Sequence, residues 1–386
     1  MPNSSMVLTT SKRILIFTTS YFPFVGGAEV AVKEITDRLS GEFEFDLITA
    51  KLRKDLPSVE EVGAVRVYRI GIGVPILDKL FLPYVAAIKT WKLHKKRNYI
   101  AFWGIMVTFS SGAAYIVNIL RGMIGRKKVP MILTLQEGDS ERYLKFKWGG
   151  LIDISWRMAL WRSDYLTTIS THLLCRAERL GYKGHGFVIP NGVDVKKFEN
   201  IQHRVLNRSV VTLITTSRLV EKNGIKDLIN ALKLLPNVKL RILGVGPLES
   251  ELKLLATGLP VEFVGFVSRD EIPTYLHYAD IFVRPSLSEG MGISFIEAMA
   301  AGLPVVATRV GGIPDFLKDG ETGLFCEVKN PESIAKQVKR LIEDDDLREM
   351  IKKNALNMVR KKYDWDLIVK RIKEEIFDPA TAGQVR

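Results

Sequence analysis

The 386-residue chain has little of what marks several specialised protein classes. Its two cysteines, Cys175 and Cys326, stand far apart, which argues against a disulfide framework and suits a reducing cytosol. Five scattered histidines lack ligand spacing, so no zinc site is expected. There is no fixed-period repeat and no low-complexity tract. The uncharged stretch from Ile100 to Leu120 approaches membrane-spanning length, but TFSSG at 108–112 divides it into a strand and a helix. The apolar ILIFTTSYFPF behind Lys12 and Arg13 imitates a secretion signal. Polar interruptions, and the glycine-rich loop and amphipathic pattern that follow, make it a first core strand instead.

What is present is ordinary globular chemistry, with 47% hydrophobic and 26% charged residues and a length that fits two to three domains, or two large ones. The net charge of +13 is unevenly spread: residues 1–190 hold 27 Lys and Arg against 16 Asp and Glu, and residues 191–386 hold 29 against 27. The excess is thus +11 in the first half and +2 in the second. A basic half faces something acidic, either nucleic acid, a phosphorylated substrate or an anionic membrane.

Both halves alternate short apolar strands with helical patterns, as parallel α/β sheets do. RILIFTT, FEFDLIT, VRVYRI, YIAFW, MILTLQ and YLTTIS read as strands of the first half. VVTLITTSR, VKLRILGVG, VEFVGF, DIFVRPS, LPVVATR and TGLFCE read as those of the second. The polar stretch from Asn200 to Ser209 marks the linker. Near the C-terminus, KKYDWDLIVKRIKEEIFD is an amphipathic helix with Asp364 as its N-cap. The Asp364-x-Asp366 triplet opens this helix instead of following a strand, so it reads as a cap and not as a metal site.

The stretch SLSEGMGISFIEAMAAGLPVVAT, from Ser286 to Thr308, places Glu289 and Glu297 eight residues apart among small and apolar neighbours. Gly290 and Gly292 make a permissive loop, Ile293 to Ala301 has helix-forming composition, Gly302 suits the position just past its end, and Pro304 forbids continuation. The segment is a helix N-terminus aimed out of a sheet, and such an end offers unpaired N–H groups and a positive dipole to phosphate. Glu297 lies one turn beyond Ile293 on the same face and leans back toward that end. Two carboxylates beside a phosphate would repel it, so they are expected to accept hydrogen bonds from hydroxyls on either side of it.

With this block stand YFPFVGGAEV, VIPNGVDVKKF, SRLVEKNGIKDLINAL, GVGPLESEL and YADIFVRPSLSEG. In order and spacing they resemble the family-four retaining glycosyltransferases, which have the GT-B architecture of two facing Rossmann-like domains. The resemblance covers nearly the whole chain. It implies an acceptor-binding domain over 1–190, a nucleotide-sugar-binding domain over 191–363, and a final helix, 364–386, packed back on the first domain. It assigns Glu289 to the donor-sugar hydroxyls, Glu297 to the nucleotide ribose, and the loop at Gly290 with the backbone of Gly292 and Ile293 to the diphosphate. Arg218 and Lys222 would bind the departing diphosphate. Gly26 and Gly27 would let the backbone of the first domain approach the donor phosphates across the cleft.

Two departures stand out. The family's lysine often sits immediately before the glycine, where this chain has Asn223 before Gly224, so Lys222 is displaced by one residue. Where relatives place a histidine after the fifth strand of the first domain, this chain has Gln136, whose amide can still hydrogen-bond a donor-sugar hydroxyl but cannot act as an acid or base. Glu137 and Asp139 then become candidates for contacting or deprotonating the acceptor.

The resemblance implies transfer of a sugar, with retention, from a UDP- or GDP-sugar to a lipid-linked or saccharide acceptor, with no obligatory metal or cofactor. The basic first half points to work at the cytoplasmic face of an anionic membrane; the alternative is scattered, solvated surface charge on an enzyme that uses a soluble acceptor. Three rivals remain. A dinucleotide-dependent oxidoreductase is suggested by LGVGPLE, but the third glycine of that fingerprint falls on Glu249. A nucleic-acid binder is suggested by charge alone, without a recognised motif, and no nucleic-acid partner is expected. A nucleotide-sugar epimerase would share the architecture and need no acceptor.

Overall fold

The structure, a computed structural model, describes residues 12–107, 109–138, 151–199 and 210–382. The linker read at Asn200–Ser209 lies outside them, as does Asp139. Two sheets organise the chain. The first orders its strands β3-β4-β2-β1-β5-β6-β7-β8. These are β1 Lys12–Phe17, β2 Phe43–Ala50, β3 Val59–Val62, β4 Val65–Ile70, β5 Ala101–Ile105, β6 Met131–Leu135, β7 Tyr165–Thr168 and β8 Gly186–Val188. All neighbours are parallel except β3 with β4. The second sheet is wholly parallel in the order β11-β10-β9-β12-β13-β14. Its strands are β9 Val211–Thr216, β10 Val238–Leu243, β11 Val261–Gly265, β12 Ile281–Arg284, β13 Val305–Thr308 and β14 Leu324–Cys326. The sequence pattern missed the edge strands β3 and β8, whose short or acidic sequences lack an apolar period.

Sheets covered on both faces need strands that are apolar on both sides. In β1, Leu15 and Phe17 enter one core while Ile14 and Ile16 enter the other. Helices α2 (Pro75–Arg97), α3 (Gly112–Met123) and α4 (Leu151–Arg162) bury Leu82, Ala86, Val117, Trp156 and Leu160 in the first of these cores. Helix α1 (Gly27–Leu39) and the C-terminal segment fill the second.

That segment returns from the second half of the chain. Tyr363 and Trp365 exchange backbone hydrogen bonds with Val193 at 2.7 and 3.1 Å, and the Asp364 carboxylate caps the following helix by accepting from Asp366 N–H at 2.9 Å. The Asp366 carboxylate accepts from Arg38 on α1 at 3.0 Å, so the Asp-x-Asp pair is spent on a cap and an interhelical contact. Trp365, Ile368, Ile372, Ile376 and Phe377 are buried on the first sheet, with Phe377 edge-on to Trp103 at 5.1 Å and to Phe43 at 5.6 Å. Leu367, a hydrophobic member of the same amphipathic pattern, is 41% exposed and takes no part in this packing.

In each sheet the strand order reverses once, between β1 and β5 in the first and between β9 and β12 in the second. Loops leaving the C-terminal ends of strands at such a reversal splay apart and open a crevice for ligands. Gly26 and Gly27 follow β1, Arg218 and Lys222 follow β9, and Glu289 follows β12.

Candidate active site

The loop after β12 is built around Arg284, the last residue of that strand. Its guanidinium is buried and donates to Ser286 Oγ at 3.1 Å, to Ser294 Oγ at 2.7 Å, to the Thr216 carbonyl at 3.3 Å and to Glu289 Oε2. It also lies on the Phe295 ring at 4.3 Å. Burial lowers its pKa, and the neighbouring Glu289 and Glu297 carboxylates raise it. The other Glu289 oxygen accepts from Gly290 N–H at 3.1 Å, so this carboxylate is fixed in place before any ligand arrives. Gly292, at φ +87°, is the N-cap of α5, the designation used here for helix Ile293–Ala300. A Cβ there would stand 2.5 Å from the Phe295 ring and 3.0 Å from Arg284 Nη2, so only glycine fits. No side chain caps α5, which leaves its end suited to an anion. Gly302 follows the helix with φ +72°.

Glu297, in the second turn of α5, is 7% exposed. Burial raises its pKa, while Arg269 and, more weakly, Arg284 oppose the rise. Arg269 Nη2 approaches Glu297 Oε1 only to 3.6 Å, and Arg269 Nη1 lies 4.0 Å from Glu34 on α1. A largely desolvated carboxylate with one long ion pair is a strong acceptor for incoming hydroxyls.

On the loop after β9, Arg218 is exposed and has no ion-pair partner among the described residues. A 3-10 turn, Glu221–Asn223, ends at Gly224 in the left-handed region. Lys222 reaches across from this turn, its Nζ donating to the Gly138 carbonyl at 3.3 Å. Asn223 is buried, and its Nδ2 donates to the Arg218 carbonyl at 2.6 Å. The one-residue displacement seen in the sequence therefore puts the cation in the cleft and the amide into the loop's support.

In the first half, Gly26, extended at φ −140°, is the N-cap of α1, and Gly27 is its first residue. A Cβ on Gly27 would meet nothing nearer than Asn191 Nδ2 at 4.0 Å. Glu29, held by Ser20 Oγ at 2.6 Å, puts a negative charge in the first turn of α1, which makes this helix end a poorer phosphate seat than that of α5. Gln136 is half-buried and accepts from Asn191 Nδ2 at 3.1 Å.

The expectation that Glu137 contacts or deprotonates the acceptor does not fit its environment. The carboxylate is turned inward, accepting from Val107 N–H at 2.7 Å and Gln136 N–H at 3.0 Å. Burial raises its pKa against the pull of those amides and Arg176. Its work is to shape the loop, whose next residue, Gly138, takes hydrogen bonds from both Lys222 and Ser288 Oγ, the latter at 3.1 Å. A Cβ on Gly138 would fall 2.9 Å from Gly290 N, so the two halves meet backbone to backbone here.

Three residues in contact with the candidate site residues, Asn191, Arg284 and Arg269, escaped the sequence reading. Asn191 and Arg284 lay inside quoted motifs, and Arg284 carried a signal, a cation ending an otherwise apolar strand. Arg269 carried none. Among the described residues, no group of three or more His, Cys, Asp or Glu side chains could hold a metal ion.

Two Rossmann-like domains with parallel sheets, a cleft between their strand ends and cations beside ordered carboxylates define a GT-B transferase. Residues 25–197 match Glycosyltransferase Family 4 and residues 196–358 match Glycosyl transferases group 1. An uncharacterized glycosyltransferase of Methanocaldococcus jannaschii is 30% identical over 93% of this chain and 96% of its own. The chain belongs to the family-four glycosyltransferases. Among solved structures, sucrose-phosphate synthase of Thermosynechococcus elongatus aligns with a TM-score of 0.81 at 21% identity, over 96% of this chain and all 100% of that one. Anabaena HepE, solved with UDP and glucose, aligns with a TM-score of 0.73 at 20% identity, over 95% of this chain and 100% of that one.

Proposed function

We propose that the protein transfers a sugar from a UDP- or GDP-sugar to an acceptor hydroxyl with retention of anomeric configuration. The observation that carries this reading is the convergence, at the strand ends of the second sheet, of the uncapped α5 N-terminus, Arg218 and Lys222, with Glu289 and Glu297 beyond it. The diphosphate sits on the helix end, the ribose hydroxyls donate to Glu297, and the sugar hydroxyls donate to Glu289. As the bond from the anomeric carbon to the diphosphate oxygen breaks, charge grows on that oxygen, and Arg218 and Lys222 stabilise it. The acceptor oxygen bonds to the anomeric carbon from the face the diphosphate leaves, and its proton passes to the departing phosphate oxygen. Glu137 stands outside this path, and Gln136 and Asn191 position the sugar from the first domain. HepE, with its bound UDP and glucose, supports the donor class.

The acceptor is lipid-linked or saccharide, met by a first domain over 1–190 at the cytoplasmic face of an anionic membrane. The basic excess of that half and a relative both favour this reading. The relative is a GDP-mannose-dependent phosphatidylinositol monomannoside mannosyltransferase of Mycobacterium tuberculosis, 29% identical over 54% of this chain and 60% of its own. Among the described residues no helix is long and apolar enough to cross a membrane.

A panel of nucleotides and nucleotide sugars, scored by the rise in unfolding temperature and followed by anomeric analysis of the product, tests the proposal. One donor class should stabilise the protein, and the product should keep the donor's configuration. An inverted product, or no stabilisation by any of them, would overturn it.

A further inference from the structure

The helices covering one face of the first sheet present a surface that sugar transfer does not use. Along α2, Ile76, Leu80, Tyr84 and Ile88 recur every fourth residue with Leu77 and Phe81 beside them, and all six are 43–72% exposed. Spacing of this kind puts them on one face of the helix. That face then changes character, ending in exposed Lys92, Lys95 and Lys96. Helix α3 packs along α2 and ends in Met123, 78% exposed, while α4 ends near Trp161, 76% exposed. Monomers in water rarely leave an apolar stripe of this length exposed along one helix.

Charge says what covers it. Between Asp78 and Glu137 the chain carries ten Lys and Arg and no Asp or Glu. Among the described residues only Arg97 and Lys128 of the ten are ion-paired, with Asp46 and Asp164. The unbalanced field reaches the interior: His94 is driven down to about 4, first by burial and then by Arg121 and Arg126. A second copy of this chain offers no complement, since its halves carry +11 and +2.

We propose that this face seats the protein on an anionic lipid bilayer, with α2 lying in the membrane plane. Its apolar turns enter the boundary between headgroups and acyl chains, and its lysines stay at phosphate level. Orientation follows from topology. Helix α2 connects the parallel strands β4 and β5 and runs back against them, so its apolar first turns lie at the sheet edge that carries Gly27 and Gln136. A membrane-held acceptor therefore enters the cleft from the apolar end of α2. This inference rests on the membrane reading above and supplies its surface; of the basic segments that suggested that reading, RYLKFKWGG at 142–150 lies outside the described residues.

The test is co-sedimentation at low salt with vesicles of phosphatidylcholine alone and of phosphatidylcholine mixed equally with phosphatidylglycerol. The wild type should bind only the mixed vesicles. Replacing Lys92, Lys95 and Lys96 with Gln should weaken that partition about a hundredfold, from roughly fivefold per cation. Leu80→Ser, Phe81→Ser and Ile88→Ser together should weaken it at least about tenfold while the variant still unfolds cooperatively, since about half of each side chain is already in solvent. Leu254→Ser, 77% exposed in the other domain, should bind as wild type does. A wild type that ignores both vesicles sinks the membrane reading itself. A wild type that binds, with both triple variants binding equally well, leaves that reading standing and overturns this surface. Self-association that the serine variant abolishes, without vesicle binding, assigns the face to a second copy and overturns the proposal too.

Discussion

Glu289→Gln separates the role of the carboxylate in transfer from its role in the loop. Glu289 and Arg284 form a buried pair whose side chains are 16% and 7% exposed, so removing the negative charge leaves a desolvated guanidinium without its counter-ion. Breaking a buried pair costs about 3–5 kcal/mol when nothing replaces the lost partner. Here the amide oxygen can still accept from Arg284, which also keeps Ser286, Ser294 and the Thr216 carbonyl, so a loss of about 1–3 kcal/mol in urea unfolding is expected. The effect on transfer has a separate origin. A sugar hydroxyl that donates to a carboxylate in the transition state loses one charge-assisted bond, about 1.5–3 kcal/mol, or roughly tenfold to 150-fold in kcat. Bare nucleotide, which lacks that sugar, should bind with nearly wild-type affinity in calorimetry. Arg284→Lys should move kcat in the same direction, because an ammonium cannot hold Glu289, Ser294 and the Thr216 carbonyl at once. Wild-type kcat with weakened nucleotide binding would refute the assignment, since it would place Glu289 on the nucleotide.

Lys222→Ala should lower kcat more than affinity, by about tenfold or more, as loss of a charge-assisted bond that strengthens with the leaving charge. Exchanging the pair, Lys222→Asn with Asn223→Lys, should neither restore rate nor preserve unfolding temperature, because position 223 is buried and holds the Arg218 carbonyl; a fully active exchange would remove the register argument. For Arg269→Met the expected change is in pH dependence. Burial already raises the folded-state pKa of Glu297 above its unfolded value, so its ionised form costs stability above that folded pKa, and the cost is relieved as pH falls through it. Removing Arg269 raises that pKa further, so nucleotide affinity should begin its decline on acidification at a higher pH than in the wild type; superimposable profiles would detach Glu297 from the ribose. Phe377→Ala should cost about 3–5 kcal/mol in urea unfolding, and truncation after Tyr363 should abolish cooperative folding, whereas a soluble, active truncation would count against the packing on Trp103 and Phe43.

Chemistry confined to neighbours in sequence could be read before the structure. The loop, helix and stop around Glu289 and Glu297 are local events, set by glycine at φ > 0, by helix periodicity and by Pro304, and each of these writes itself into composition. The twelve strands read from apolar runs lie in the two sheets for the same reason, while β3 and β8, at the sheet's edges, lack the two-faced burial that makes such runs. Contacts across long separations left no such trace. Arg269 meets Glu297 and Glu34 from a loop that nothing in its own sequence marks, and Glu137 looked like an acceptor base because a polar loop does not reveal which way its carboxylate turns.

The lysine displacement shows how far local reading can go before tertiary structure must finish it. From the sequence, Lys222 sits one residue early, and a shift of one along a helical turn rotates a side chain by about 100°. The chain places the pair in a 3-10 turn closed by Gly224 at φ +69° against the Pro285 carbonyl, and within it Lys222 reaches Gly138 while Asn223 turns inward. The cleft receives its cation because the neighbouring residue is an amide, able to bond the Arg218 carbonyl without burying a charge. Position 222 and position 223 are therefore one unit: the cation reaches the Gly138 loop while its neighbour is buried against the Arg218 carbonyl.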